Sequence, residues 1–130
     1  GFLDGVPVAH PALTRALKLQ ERAARVGFDW KEAAPILDKI EEEIGELREA
    51  MDQGALPDIK DEFGDVLFAL VNFGSHLGID AEDALRGTND KFRDRFHHVE
   101  SALVASGRTL YDASLDEMEA LWQDAKSVPR

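Results

Sequence analysis

Four carboxylates stand in two matched pairs on neighbouring segments that have the pattern of helices. Glu43 and Glu46 are three residues apart, and Glu62 and Asp65 repeat that spacing on the next segment. Residues three apart share one side of a helix, so each pair faces the same neighbour. If the two helices pack antiparallel, the four carboxylates meet at a partly buried seam, where protonation or a cation must offset their repulsion. Ligands that are all oxygen suit Mg²⁺, with Mn²⁺ as a substitute.

The apolar stripes beside these acids make the pairing more specific than either motif alone. An E-E-x-x-E run is usually a solvent-exposed helix face, and E-x-x-D is equally unspecific. At about 100° per residue, however, Glu43 falls at one edge of its apolar stripe, with Glu46 one turn further on the same side. The first stripe comprises Ile36, Leu37, Ile40, Ile44, Leu47 and Met51. The second comprises Ile59, Phe63, Val66, Leu70, Phe73 and Leu77, and beside it runs a polar stripe of Glu62, Asp65, Asn72 and His76 that is interrupted by Ala69.

Three other kinds of metal site are excluded by the sequence. No glutamate has a histidine three residues later, as the carboxylate-bridged di-iron bundles require. The D-x-D-x-D-G calcium loop is missing. The chain has no cysteine, so zinc–thiolate sites and disulfides are impossible.

A stripe of cations follows on the next predicted helix. Lys91, Arg95 and His98 recur at helical spacing beside apolar residues. In an acidic chain, such cations could hold the phosphates of a substrate. The alternative, that Lys91 and Arg95 pair with structural acids, is equally compatible with the spacing. No Walker A or G-x-G-x-x-G loop is present, so any phosphate binding must come from metal and side chains.

Proline and glycine fall at the breaks of a wholly helical pattern. We predict an all-α fold of about five helices, forming a single domain over residues 1–130 with residues 1–10 as a lead-in segment. Asp80 is the predicted N-cap of the fourth helix, and Ser114 with Glu117 forms a predicted capping box for the last. The expected helices cover about residues 11–26, 34–53, 57–77, 81–106 and 115–126.

Composition limits the partners that the chain can have. The net charge of −11 disfavours binding to duplex nucleic acid, which requires clustered Lys and Arg. No apolar run approaches the roughly 20 residues that span a bilayer, and the first ten residues lack the pattern of a signal peptide. These features, with the absence of cysteine, favour a cytoplasmic location without a membrane partner.

The two acidic motifs together resemble the E-E-x-x-E…E-x-x-D signature of the MazG-type, all-α nucleoside triphosphate pyrophosphohydrolases. Gly45 stands inside the first motif where an acidic residue is often found, but it is not an expected ligand. The resemblance extends over most of the chain and is greatest to the C-terminal domain of two-domain MazG proteins. Its further segments are Leu3–Pro7, Pro11–Leu13, Arg22–Ala24, Val26–Trp30, Gly64–Ala69, Asn89–Phe96 and Glu117–Lys126.

The resemblance implies Mg²⁺-dependent hydrolysis of a nucleoside triphosphate to the monophosphate and pyrophosphate. It implies Mg²⁺ on Glu43, Glu46, Glu62 and Asp65, and it places Lys91 and Arg95 on phosphates. Trp122 and Lys126 are then expected near the substrate, and Asn72 of the polar stripe is a further candidate for substrate binding. Trp122 could equally belong to the core of an amphipathic helix.

Water is the expected nucleophile, and either Glu43 or the outer acid Glu42 would orient or deprotonate it. The third helix is apolar on more than one side, with Val66, Leu70 and Phe73 on one and Leu67 and Val71 on another. A homodimer would cover both sides, and the family resemblance implies that the central helices of its two subunits form a four-helix core. A catalytically idle nucleotide-binding domain and a purely structural helical dimer are the alternatives, and release of pyrophosphate distinguishes the enzyme from both.

Overall fold

The computed structural model describes residues 1–129 and is built from α-helices and one short 3-10 turn. No strand occurs in that range, which confirms the predicted all-α class and the five helices. The helices are α1 (Ala12–Ala24), α2 (Ala33–Gln53), α3 (Leu56–His76), α4 (Ala81–Ala105) and α5 (Leu115–Lys126), with the 3-10 turn at Leu110–Asp112.

Local signals account for the helix ends. Gly27, Gly54, Gly78 and Gly107 all have positive φ, the left-handed conformation that ends a helix and that glycine adopts without strain. At the start of α4, the Asp80 carboxylate accepts hydrogen bonds from the backbone N–H groups of Glu82 and Asp83, at 2.9 and 3.2 Å. The predicted ends therefore differ from the observed ones by at most two residues.

The predicted capping box of α5 is only half formed. Ser114 Oγ accepts a hydrogen bond from the Glu117 N–H at 3.2 Å, as expected. The Glu117 carboxylate, however, binds the Arg108 guanidinium through both oxygens. A complete capping box instead joins Thr109 and Asp112 at the 3-10 turn, which the sequence analysis did not predict.

The chain divides into two compact units, residues 1–84 and residues 85–130. In the first unit, α2 and α3 are joined by two residues and pack along each other, and α1 packs against α3. In the second unit, the Phe92 ring lies 5.2 Å from that of Trp122, and the imidazole of His98 lies 3.0 Å from the Asp124 carboxylate. The single-domain organisation stays a prediction.

The apolar stripe of α2 is only partly buried. Ile36 and Ile40 are buried, at 1% and 4% exposure, whereas Leu37, Ile44 and Met51 are at least 44% exposed. Glu43 lies on the buried side of the helix, between Ile40 and Ala50 in sequence, and is only 7% exposed. The buried face of α2 is therefore displaced towards Glu43 relative to the apolar stripe, so that Glu43 lies within the buried face although it is at the edge of the stripe.

Candidate active site

Three of the four predicted acids meet where α2 packs against α3. Glu43, Glu62 and Asp65 each place one carboxylate oxygen within 4.8 Å of the others. The hairpin of α2 and α3 brings the two motifs together, as the antiparallel arrangement required. We call these three residues and Glu46 the acidic cluster.

Glu46 lies beside Glu43 and Glu62 and interacts with both. Its pKa is raised above the ordinary value, first because the Glu43 charge repels its ionised form and second because burial removes water from it. A contact between the carboxyls of Glu46 and Glu62 partly opposes this rise. The structure thus brings together all four acids, although the tight group of three does not include Glu46.

The protein itself compensates the negative charge of the acidic cluster only in part. Burial is the main cause that raises the pKa of Glu62, and the charge of Glu46 adds to it. Burial also raises the pKa of Asp65, with smaller contributions from Asp61 and Glu43. Two buried oxygens, Glu43 Oε2 and Glu62 Oε2, have no hydrogen-bond partner among the described residues. Buried carboxylate oxygens normally have partners, so an external cation suits this arrangement.

Lys39 is the cation that the sequence analysis missed. Its Nζ lies 2.9 Å from Glu43 Oε1 and 3.6 Å from Glu42 Oε1. The hydrogen bond to Glu43 raises the pKa of Lys39, so the ammonium stays charged. A lysine four residues before a glutamate resembles any surface pair on a helix. The signal that could have identified it is that Glu43, its partner, belongs to the acidic motif.

Glu42 lies outside the acidic cluster. Its side chain is 60% exposed and has the Lys39 ammonium as its recorded neighbour. This position is compatible with an outer acid that contacts water, but Glu42 shares no metal-ligand group with Glu43. Of the two proposed water-activating acids, Glu43 is the one that lies in the cluster.

A cavity of about 760 Å³ opens beside the acidic cluster in the first unit. Its lining is mainly apolar and aromatic, as is usual for sites that bind small molecules. The predicted substrate residue Asn72 lines it, together with the two aromatics of the loop between α1 and α2, to which the sequence analysis assigned no role. The lining includes Phe28, Trp30, Lys39, Glu43, Asp65 and Asn72.

The remaining predicted substrate residues lie in the second unit. Lys91 and Arg95 form no ion pair within 4.0 Å among residues 1–129, and the Nε of Arg95 is buried without a hydrogen-bond partner there. The alternative of pairing with structural acids thus finds no support. Trp122 is partly buried against Phe92, and Lys126 is exposed at the last turn of α5.

Comparison with known sequences decides the family. A profile described as the MazG nucleotide pyrophosphohydrolase domain matches residues 31–100, which contain the whole acidic cluster together with Lys91 and Arg95. The chain belongs to this family. The cavity aromatics Phe28 and Trp30, and the residues Trp122 and Lys126, lie outside the matched range.

Curated relatives extend the MazG likeness over nearly the whole chain. The chain is 44% identical over 126 residues to the nucleoside triphosphate pyrophosphohydrolase of Escherichia coli (strain K12), covering 95% of this chain and 48% of the relative. It is 41% identical over 116 residues to the nucleoside triphosphate pyrophosphohydrolase/pyrophosphatase MazG of Thermotoga maritima, covering 89% and 44%. The uncharacterized protein YabN of Bacillus subtilis is 45% identical over 130 residues, covering 99% and 27%.

This MazG-family chain spans less than half the length of those relatives. Among its described residues, none of the helices has the length and apolar character needed to cross a bilayer.

Proposed function

We propose that this MazG domain hydrolyses nucleoside triphosphates to nucleoside monophosphate and pyrophosphate with Mg²⁺ as its cofactor. The observation that carries the proposal is the acidic cluster at the wall of a largely apolar cavity, with two buried carboxylate oxygens that have no hydrogen-bond partner among residues 1–129. The names of the relatives from E. coli and T. maritima support the same reaction.

The donor set of the cluster suits Mg²⁺, or Mn²⁺ in its place, because every ligand atom is a carboxylate oxygen. Glu43, Glu46, Glu62 and Asp65 would hold the ion. When bound, such an ion neutralises phosphate charge and makes water more acidic. The same charge would reverse the rise in pKa of Glu46, Glu62 and Asp65, because an opposite charge favours their ionised forms.

The cavity would hold the nucleoside while the triphosphate extends towards the cluster. Phe28 and Trp30 provide flat apolar surfaces for a base, and Asn72 provides an amide for polar groups of the nucleoside. Lys39, which stays charged, would offer its ammonium to a phosphate oxygen at the boundary between cavity and cluster. These assignments divide the substrate into an apolar part and an anionic part.

Hydrolysis breaks the anhydride bond between the α- and β-phosphates, and water supplies the oxygen that replaces it. Glu43 is the acid best placed to orient this water, because it is buried in the cluster and lines the cavity. Its Oε2 is free of protein hydrogen bonds within the described residues, so it can accept one from water. Glu42 would at most relay the proton to solvent, since its side chain is 60% exposed.

The reaction itself is tested by incubating the full chain with a mixed set of nucleoside triphosphates and Mg²⁺. We expect pyrophosphate and nucleoside monophosphate in equal amounts, and no product when a chelator removes the metal. The measurement is quantitative chromatography of nucleotides with a coupled assay for pyrophosphate. Nucleotide binding without turnover would identify a catalytically idle domain, and release of diphosphate with inorganic phosphate would contradict the proposed bond cleavage.

Lys91→Ala and Arg95→Ala are each expected to weaken catalysis by about 1–3 kcal/mol in kcat/KM, the contribution of a charge-assisted hydrogen bond. The physical reason is that both cations lack ion pairs within the described residues, and Arg95 Nε is buried without a partner. The check is steady-state kinetics together with thermal unfolding of each variant.

Arg93→Ala is the matched control for these two variants. Arg93 is on the same helix, but its side chain is 75% exposed and close to the carboxylates of Asp90 and Asp94. Its loss should leave kcat/KM within about twofold, because exposed ion pairs contribute little. A fall in melting temperature with normal activity per folded molecule for Lys91→Ala or Arg95→Ala would show that these cations are structural.

A further inference from the structure

His76 contacts two backbone carbonyl groups through its two ring nitrogens. Nδ1 lies 3.0 Å from the carbonyl oxygen of Asn72, one turn earlier in α3. Nε2 lies 2.7 Å from the carbonyl oxygen of Trp30, in the loop between α1 and α2. Nε2 also lies 3.3 Å from a carboxylate oxygen of Asp29. The side chain is only 15% exposed, so water competes little for these contacts.

These partners require both ring nitrogens to donate. A carbonyl oxygen and a carboxylate oxygen only accept hydrogen bonds, and a neutral imidazole has a single N–H. A neutral His76 would therefore direct one lone pair at a carbonyl oxygen. The imidazolium satisfies all the contacts, and the Asp29 carboxylate balances its charge. In accord with this geometry, the hydrogen bonds to Asn72 and Trp30 raise the pKa of His76.

The loop fastened in this way has few other attachments. Phe28 and Trp30 are 80% and 47% exposed. The recorded hydrogen bonds of the loop are otherwise local: Phe28 N–H to Ala23, Asp29 N–H to Gly27, and Trp30 N–H to the Asp29 side chain. His76 is 46 residues from Trp30 in sequence, so its bond joins the loop to a distant helix. Phe28, Asp29 and Trp30 all line the cavity.

We propose that His76 is a positioning residue, which in its doubly protonated form fastens residues 28–30 to α3 and so sets the aromatic wall of the cavity. Its effect on nucleotide binding rests on the proposed function, whereas the fastening itself does not. Loss of the ring proton removes one of the two carbonyl bonds. The wall then loosens while the carboxylates of the acidic cluster keep their positions.

The contacts of the His76 ring set the direction of its pH dependence. Asp29 from the loop is the charged group that acts on the ring, whereas Lys39 and Glu43 of α2 line the cavity that the loop borders. The cavity residues from α1 are uncharged Leu19, Gln20 and Ala23. Because the folded-state pKa is raised, the fastening is complete below the ordinary histidine pKa and is lost as pH rises through the raised value.

The direct test is nitrogen-15 NMR of the full chain, with the His76 ring assigned by through-bond correlation to its own backbone signals. The spectrum is recorded at pH 6.5, close to the ordinary histidine pKa of about 6.5. We expect both ring nitrogens of His76 to show the chemical shifts of an imidazolium at this pH. Neutral-imidazole shifts for His76 at that pH would overturn the proposal, and this result needs no variant that folds and no enzymatic activity.

A second readout follows the loop itself. In a Trp122→Phe background, Trp30 is the only tryptophan, because the chain has two. Its emission should change in a transition above the ordinary histidine pKa, and His76→Gln should abolish that transition, whereas His97→Gln should leave it intact. In the protein with both tryptophans, His76→Gln should raise KM for a nucleoside triphosphate about tenfold with kcat changed less than twofold, because binding must then order a loop that has lost a charge-assisted bond to α3.

The outcomes of these experiments distinguish the positioning role of His76 from the proposed hydrolysis of triphosphates. If no triphosphate is hydrolysed, the NMR and emission results still decide whether His76 fastens the loop. If hydrolysis occurs and the Trp30 transition persists in His76→Gln, the positioning role is wrong and the proposed function stands. A fall in kcat with unchanged KM would also contradict a role in shaping the binding wall.

Discussion

Glu62→Gln is expected to lose at least about 100-fold in kcat/KM, equivalent to about 2.7 kcal/mol of transition-state stabilisation. Glu62 is one of three acids whose oxygens lie within 4.8 Å of one another, and its Oε2 is buried without a partner in the described part of the chain. An amide keeps the shape of this side chain but removes the negative charge that a divalent cation requires. Steady-state hydrolysis and Mg²⁺ titration measure the two losses.

The same substitution should leave the metal-free protein as stable as before, or more stable. Glu46, Glu62 and Asp65 have raised pKa values, so their ionised forms are disfavoured in the folded state. Their favourable contribution is complete below the ordinary carboxyl pKa and is lost as pH rises through the raised values. Removing one charge should therefore raise the melting temperature relative to the parent protein, and the difference should grow from weakly acidic to neutral pH.

Glu41→Gln is the matched control, since Glu41 is exposed on α2 and takes no part in the acidic cluster. It should change neither the Mg²⁺ dependence nor the rate by more than about twofold. If Glu62→Gln hydrolyses triphosphates at the parent rate with the parent Mg²⁺ dependence, the assignment of the metal site is wrong. If the metal-free variant is less stable at neutral pH, repulsion within the cluster is not the dominant effect.

The position of Glu43 shows where the sequence was informative and where it was not. The spacing of the motifs correctly predicted that α2 and α3 would bring their acids together. The helical angle of Glu43 was measured against a stripe that included Leu37, Ile44 and Met51, which this chain leaves exposed. An apolar stripe in a helix predicts a surface that packs against something apolar. It does not tell whether that surface is buried inside one chain or is available to a partner. The predicted centre of the buried face of α2 was therefore displaced from the observed one, which includes Glu43.

Other parts of the site depend on tertiary contacts that no short motif encodes. Helix ends were predictable because glycines and the Asp80 cap act within a few residues. The bond from His76 to the Trp30 carbonyl depends on how a loop returns to α3, which neither segment specifies alone. His76 was placed correctly on the polar stripe of α3, but its partner could not be read from periodicity. The aromatic wall of the cavity was missed for the same reason.

The exposed apolar side of α3 is the main observation that supports the predicted homodimer. Phe63, Leu67 and Leu70 follow one another at four- and three-residue spacing and are 55%, 41% and 45% exposed. Val71, expected beside Leu67 on a second apolar side, is buried at 1%. On α2, Leu37, Ile44 and Met51 recur every seven residues and are also exposed. Two helices with such stripes can pair with their own copies across a two-fold axis.

We therefore expect the working protein to have twice the mass of the 14.4 kDa chain, or a multiple of it, at micromolar concentration. Leu70→Asp should raise the dissociation constant of the dimer by at least about tenfold, because burying a leucine contributes about 1.5–3 kcal/mol and each 1.4 kcal/mol is a factor of ten. Sedimentation velocity over a dilution series gives the constant, and circular dichroism checks that the variant is folded.

The dependence of hydrolytic activity on dimer formation is a second expected result. The family resemblance implies that Trp122 and Lys126 lie near the substrate. If the last helix supplies them to the site of the partner, specific activity should fall in parallel with the dimer fraction when Leu70→Asp is diluted. Leu115→Asp is the control, because Leu115 is 68% exposed at the first turn of α5, where an acid favours the helix. A fully active species with the mass of one chain would refute both the dimer and its role, since an apolar stripe that stays in water during turnover cannot be the surface on which the site depends.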